Sequence, residues 1–265
     1  MANGNRGDGI CRRIALQIQY DGTFFNGWQI QNSGRTVQSV LEESVKILTK
    51  EECRITASGR TDAGVHALHQ IVHFDTSSDI TLQKLSIGLN GILPRDVSVK
   101  NAFHVAGDFH SRFSAVKREY KYYIYNYYLR SPFMQYRAMW VNHKLDITFL
   151  RDTAAFLVGE MDYASFCKKK SSDMNTVRKI EDIRIHEHDH LLVLTIKGNA
   201  FLHNMIRIIV GTLVQMHKDG KQPEYIKEVL AGEDRIKSGF TAPPYGLYLS
   251  NVEYNPQLSA MEKAF

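Results

Sequence analysis

Ser58-Gly59-Arg60-Thr61-Asp62-Ala63-Gly64-Val65-His66-Ala67 lies between two segments that read as strands, Arg54 to Ala57 and Gln70 to Phe74. No crossover helix separates those strands, so they read as an antiparallel pair. A second pair, Ile180 to His186 and Leu191 to Lys197, is joined just as directly around His188-Asp189. Hairpin-connected strands mixed with helices argue for an antiparallel α+β architecture over a doubly wound sheet. The connecting word is longer than a turn requires. Asp62 follows Arg60 by two residues and has glycines on both sides, which gives the backbone freedom for a tight bend and room for a ligand to approach. An Asp-x-Gly alone would signal only a turn; the full word reads as a reactive loop centred on Asp62.

Working outward, Arg13 to Tyr20 alternates Ile14, Leu16, Ile18 and Tyr20 on one face, the period of a half-buried strand, and Asp21-Gly22 turns it. Thr36 can cap a helix running to Lys50, with Val37, Val40, Leu41, Val45 and Leu48 at helical spacing. A second helix follows Thr81 from Leu82 to Leu93, Pro94 stops it, and Val97 to Val105 returns to a strand rhythm. Ser114 to Tyr128 reads as a long tyrosine-rich strand. Further helices are expected over Ile147 to Val158, Asn199 to His217 and Pro223 to Ala231, with a last strand from Gly246 to Tyr254. The order of elements in the second half loosely echoes the first. The seam falls near Val105 to His110, giving units 10–107 and 108–265 with a cleft between them as the natural site.

The chain has 265 residues, 43% of them hydrophobic and 23% charged, which fits a soluble globular protein with a sizeable core. The formal net charge of +5 suits a polyanionic partner without requiring one. Cys11, Cys53 and Cys167 are widely spaced, so neither a disulfide framework nor a cysteine zinc site is expected, and the compartment reads as cytoplasmic. Met1 to Gly9 reads as a disordered lead without the apolar run of a signal peptide. The most apolar stretch, Met205 to Met216, is too short to span a bilayer and contains Arg207, so no membrane association is expected. Neither a Gly-x-Gly-x-x-Gly nor a Walker loop is present, and no nucleotide cofactor is expected.

Three groups of residues could carry chemistry. In the apolar helix expected from Asn199, a spacing of four puts His203 over Arg207. A guanidinium set among Leu202, Met205, Ile206, Ile208 and Ile209 needs an anionic partner, and Asp62 is the candidate, although any acidic residue or a snorkelling geometry would also serve. Lys117-Arg118-Glu119-Tyr120-Lys121-Tyr122-Tyr123 interleaves cations with aromatic rings, a pattern of RNA-binding strands as well as of core strands. Strand alternation sends Tyr120 and Tyr122 to one face and Lys121 and Tyr123 to the other. Arg112 and the run Lys168-Lys169-Lys170 add positive charge toward an RNA reading, and otherwise form a solvated surface. His66, His69 and His73 have a spacing suited to a metal on a helix, but a strand scatters their rings and no metal site is expected.

The loop resembles the signature of the TruA family of tRNA pseudouridine synthases, and the resemblance runs from Tyr20 to Tyr254. The motifs stand in order: Tyr20-Asp21-Gly22-Thr23-Phe24-Phe25-Asn26-Gly27-Trp28-Gln29, Thr36-Val37-Gln38, the Asp62 loop, Leu93-Pro94, Phe109-His110-Ser111-Arg112-Phe113, Arg118-Glu119-Tyr120-Lys121-Tyr122, Phe201 to Leu213, and Gly246-Leu247-Tyr248-Leu249. His69 stands where relatives often have glycine. The resemblance implies a pseudouridine synthase fold, with two ferredoxin-like α/β halves and mainly antiparallel sheets around a central cleft. It also implies isomerisation of uridine to pseudouridine at position 38, 39 or 40 of the tRNA anticodon arm, by a homodimer, without cofactor or metal. Carried over by motif, Asp62 is the catalytic carboxylate, Tyr120 the active-site tyrosine, Arg207 the partner of the aspartate, and Arg60 the arginine that helps open the RNA. Arg112, Lys117, Lys168 and Lys169 would then line an RNA trough. The alternative is an RNA-binding module without chemistry.

Overall fold

The computed structural model describes residues 11–168, 175–258 and 263–264. The expected N-terminal lead and the lysines Lys169 and Lys170 lie outside the described residues. The strands are β1 (Arg12–Tyr20), β2 (Thr56–Ala57), β3 (His66–Thr76), β4 (Val97–Val105), β5 (Ala115–Asn126), β6 (Met139–Val141), β7 (Gly159–Asp162), β8 (Val177–His188), β9 (Leu191–Gly198) and β10 (Leu247–Tyr254). The α-helices are α1 (Val37–Thr49), α2 (Leu82–Ile92), α3 (Ile147–Ala155), α4 (Met205–Lys218) and α5 (Tyr225–Ala231).

These strands make one α+β sheet in the order β4-β1-β3-β10-β5-β9-β8-β7, with β2 beside β3 and β6 beside β5. Most neighbours are antiparallel; β10 with β3 and β5 with β6 are parallel. The last strand joins the two halves edge to edge, because β10 pairs Tyr248 and Leu249 with His66 and Ala67 on one side and runs along Tyr122 to Ala115 on the other. That insertion leaves only one strand between the end of the Asp62 loop and the Tyr120 strand.

Local chemistry accounts for where the elements begin and end. Thr36 accepts a hydrogen bond from Ser39 N, and Ser39 Oγ accepts one from Thr36 N, so a reciprocal cap starts α1. Thr81 caps α2 by a single bond, its side chain accepting from Lys84 N, and α2 ends at Ile92, two residues before Pro94. The strand expected at Arg54 shortens to Thr56–Ala57, because the Ile55 amide donates to the Glu42 carboxylate on α1 at 3.0 Å instead of joining the ladder. Conversely β3 starts at His66 rather than Gln70, since β10 supplies a partner there. The turn of the β8–β9 hairpin is Asp189-His190, both at positive φ (47° and 65°), one residue later than the spacing suggests.

The largest shift concerns the apolar helix. It begins at Met205 and not at Asn199, because Asn204 adopts a left-handed conformation (φ 61°) that no α-helical turn tolerates. His203 therefore precedes the helix rather than sitting one turn above Arg207. Gly211 of α4 lets the 239–242 segment lie directly on the helix: a Cβ there would stand 1.8 Å from the Phe240 carbonyl oxygen. This contact brings the Ala242 carbonyl to Arg207, whose Nε donates to it at 2.7 Å.

Candidate active site

Residues 58–65 cross the cleft between β2 and β3 as a loop wired through its backbone. Trp28 N donates to Thr61 O at 3.0 Å, Gly64 N donates to Phe25 O at 3.3 Å, and Gln70 Nε2 donates to Gly59 O at 2.8 Å. The Tyr20 and Thr61 hydroxyls are 2.7 Å apart in the core. Gly27, at φ 84°, is required for this wiring, since a Cβ would stand 2.7 Å from Thr61 O. A loop so fixed from below holds the Asp62 side chain on a rigid base, pointing into a cavity of about 910 Å³.

Arg207 from α4 donates through Nη1 to Asp62 Oδ2 at 3.2 Å, so the buried guanidinium has found the anionic partner its apolar helix demands. The same Nη1 reaches Asn204 Oδ1 at 2.6 Å, which turns the Asn204 amide Nδ2 toward His203 Nε2 at 3.2 Å. His203 Nε2 in turn stands 3.4 Å from Asp62 Oδ1. Asp62, Arg207, Asn204 and His203 thus close a ring around the carboxylate, in which the guanidinium holds Oδ2 and Oδ1 faces the cavity beside the imidazole. Asp62 remains about one-third exposed (34%) and Arg207 much less so (14%), an arrangement of an accessible carboxylate on a fixed cation.

Across the cavity, β5 presents Tyr120, whose ring packs edge-on against Phe201 with centroids 5.3 Å apart. Burial pushes the Tyr120 phenol up to about 12; the Arg118 cation draws it down, and the Asp62 carboxylate adds a little to the rise. Tyr120 is therefore a neutral phenol at physiological pH. Arg118, two residues earlier on the same strand face, donates to the carbonyls of Ser58, Ala115, Asn199 and Arg112. It ties together the start of the Asp62 loop, the 199–201 segment and the Arg112 turn. Burial pulls its guanidinium down, as expected of a cation surrounded by dipoles rather than by a carboxylate.

The sequence-derived candidates divide by position. Asp62, Tyr120, Arg60 and Arg112 line the cavity, and Arg207 reaches it through its bond to Asp62. Lys168 is exposed next to the site, with its backbone N donating to His203 O at 3.2 Å. Lys117 is elsewhere: alternation along β5 turns it to the opposite sheet face, where Nζ pairs with Glu181 at 2.9 Å. Arg118, Asn204 and Phe201 also line the cavity, beyond the residues expected from the sequence. The alternation that put Tyr120 and Tyr122 together also put Arg118 with them, and that signal was legible.

The histidines of β3 serve separate networks. His66 Nδ1 accepts from Gly22 N at 3.1 Å while Nε2 meets the carbonyls of Tyr136 and Tyr245, and His73 Nδ1 accepts from Ser111 N at 3.2 Å. Among the described residues, no group of three or more His, Cys, Asp or Glu side chains is arranged to hold a metal ion, and no helix is long and apolar enough to cross a membrane.

A family model described as tRNA pseudouridine synthase matches residues 16–114 and 153–255. The chain is 42% identical over 260 residues to the tRNA pseudouridine synthase A of Herminiimonas arsenicoxydans, covering 96% of this chain and 94% of that protein. It is 40% identical over 256 residues to the enzyme of the same name from Janthinobacterium sp. (strain Marseille), covering 94% of each. The namesake from Caldicellulosiruptor bescii is 40% identical over 243 residues, with 92% of this chain and 100% of that protein covered.

Proposed function

The chain belongs to the tRNA pseudouridine synthase family and isomerises uridine in tRNA, and from that premise we propose that Asp62 is the catalytic carboxylate and that the target is position 38, 39 or 40 of the anticodon arm. The observation that carries the assignment is the position of Asp62: its carboxylate opens into the cleft with Oδ2 held by Arg207, opposite the rings of Tyr120 and Phe201.

The reaction breaks the bond from C1′ to N1 and makes one from C1′ to C5, while a proton leaves C5 and N1 regains one. Cationic character like that of an oxocarbenium ion develops on the sugar, and a carboxylate answers it as in glycoside hydrolysis. Oδ1, which faces the cavity beside His203, would meet the ribose, by attack at C1′ or by removing the C2′ proton, while Arg207 orients Oδ2. Tyr120 and Phe201 would hold the detached base between cleavage and rejoining; a neutral phenol suits stacking and hydrogen bonding to the uracil carbonyls. The change is redox-neutral, and the reading includes neither cofactor nor metal.

Reaching C1′ requires the nucleotide to leave its stack, least costly in a loop or a frayed stem end. In this reading Arg60 and Arg112 at the cavity rim and Lys168 beside His203 meet the RNA backbone, with Lys169 continuing the run beyond the described residues. Lys117 stands apart from that rim on its pairing with Glu181. The reading further takes the protein as a cytoplasmic homodimer, with 10–107 and 108–265 as the two units flanking the cleft.

Transcripts carrying uridine at 38, 39 or 40 alone, mapped for pseudouridine after incubation, test the site of action. Product at one or more of these positions is expected. Product confined to other tRNA positions would contradict the regional assignment, and tight binding with no product anywhere would favour the non-catalytic RNA-binding module.

A further inference from the structure

The turn 109–114 bears an aromatic ring that the reaction as described leaves unused. Phe113 is 76% exposed at the rim of the Asp62 cavity. It is not a loose loop tip. His110 Nδ1 accepts from the backbone N of both Arg112 and Phe113, at 3.2 and 3.3 Å, and His110 N donates to Ser114 Oγ at 3.0 Å. Ser111 is fixed from three sides: N donates to His73, Oγ donates to Thr56 O at 2.8 Å, and O accepts from the Tyr254 hydroxyl at 2.6 Å. The His110 ring leans on the Phe113 ring with centroids 4.3 Å apart, and the Arg112 guanidinium lies 5.6 Å from it.

A large apolar side chain held in water by so many bonds implies a partner with an apolar face. Phe113, Arg112 and Arg60 form a ridge with the Asp62 cavity on one side and a second cavity of about 200 Å³ on the other. Two cations beside an exposed ring match a nucleotide, with the base on the ring and the phosphate on the guanidinium groups. We propose that Phe113 is the stacking residue for the nucleobase next to the target uridine, and that the ridge separates this flanking-base subsite from the Asp62 cavity. The assignment deepens the tRNA isomerase reading and rests on it. By keeping the flanking base on the ridge, the ring stops the RNA stack from closing once the uridine has left it.

The test combines Phe113→Ala and Phe113→Tyr with a tRNA transcript bearing 5-iodouridine at each neighbour of the target in turn. Stacking of one base predicts that Phe113→Ala binds tRNA roughly 10-fold more weakly, that Phe113→Tyr stays within about 2-fold of wild type, and that both keep the wild-type thermal midpoint because the ring is exposed. Photocrosslinking should join one of the two neighbours to the peptide containing Phe113. Tritium release from C5 by the wild type checks the underlying isomerase separately. An active wild type matched in affinity and rate by Phe113→Ala, or crosslinks confined to other peptides, would overturn the stacking assignment alone.

Discussion

The two faces of β5 carry similar letters and do different work. On the far face, Lys117 pairs with Glu181, Glu119 accepts from Ser250 Oγ, and the neighbouring Lys197 pairs with Glu253 at 2.6 Å. Both lysines are neutralised by carboxylates two strands away across the sheet, in a part-exposed setting where each pair is worth at most about 1 kcal/mol. On the cleft face, Arg118 donates to backbone carbonyls, and Tyr120 stands beside it over the Asp62 cavity. A cation solvated by carbonyl dipoles organises three chain segments and keeps its positive field, whereas a cation paired with a carboxylate mostly cancels. Which of two adjacent basic residues organises the cleft is thus decided by their acceptors.

Removing the two cations in parallel should separate the two faces most strongly. Arg118→Met leaves the Ser58, Asn199 and Arg112 carbonyls without a donor, and several such losses predict a stability cost of about 4 kcal/mol. Urea unfolding should show it, and single-turnover isomerisation should fall at least about 100-fold because the Asp62 loop and the 199–201 segment lose their common tether. A variant as stable and active as wild type would mean that Arg118 holds nothing.

Acid acts through a buried imidazole of β3, His73, which holds the Ser111 turn next to Arg112. The His73 imidazole is pushed down to about 4, by burial first and then by the Arg13 and His110 charges, against a smaller pull upward from Asp75. Its folded value lies below the ordinary value of 6.5, so between the two the unfolded chain binds more protons and stability rises with pH. The contribution is complete above pH of about 6.5 and is lost as pH falls toward 4, a total of about 3 kcal/mol. His73→Gln should flatten the stability profile over that window; an unchanged slope would show that the buried imidazole is not the group responsible.

Arg207→Leu should cost about 2 kcal/mol in stability, since the apolar substitute relieves the buried charge but leaves Asn204 Oδ1 and Ala242 O without their donor. Its activity should fall with kcat more than with KM, because Asp62 stays accessible but loses its orientation. Full activity would remove the pairing argument. The smallest effect belongs to the far face: Lys117→Met should change stability by less than about 0.5 kcal/mol and tRNA affinity by less than 2-fold. An affinity loss as large as that of Arg112→Met would extend the RNA surface around the sheet and dissolve the distinction between faces.

Much of this was legible from local rules. The caps at Thr36 and Thr81, the stop before Pro94 and the hairpins follow from residues a few positions apart. The need of Arg207 for an anionic partner followed from the cost of leaving a guanidinium alone in an apolar helix, with Asp62 one candidate among the acidic residues, and the structure pairs the two. The late start of α4 was not legible, because Asn204 takes a left-handed conformation while its side chain bonds Arg207 and His203, a local arrangement that hydrophobic periodicity does not report. The parallel insertion of β10 was equally hidden, since its partners Ala67 and Tyr120 lie far from Leu249 in sequence. The pairing of Lys117 was hidden for a related reason: its partner Glu181 sits on β8, and nothing near Lys117 announces it.

The central claim is that Asp62 performs the isomerisation, and release of tritium from C5-labelled uridine in unmodified tRNA tests it most directly. Wild type should release tritium, and Asp62→Asn should bind the same tRNA within a few-fold and release none. Release by Asp62→Asn at the wild-type rate would contradict the account, whatever the tRNA affinity.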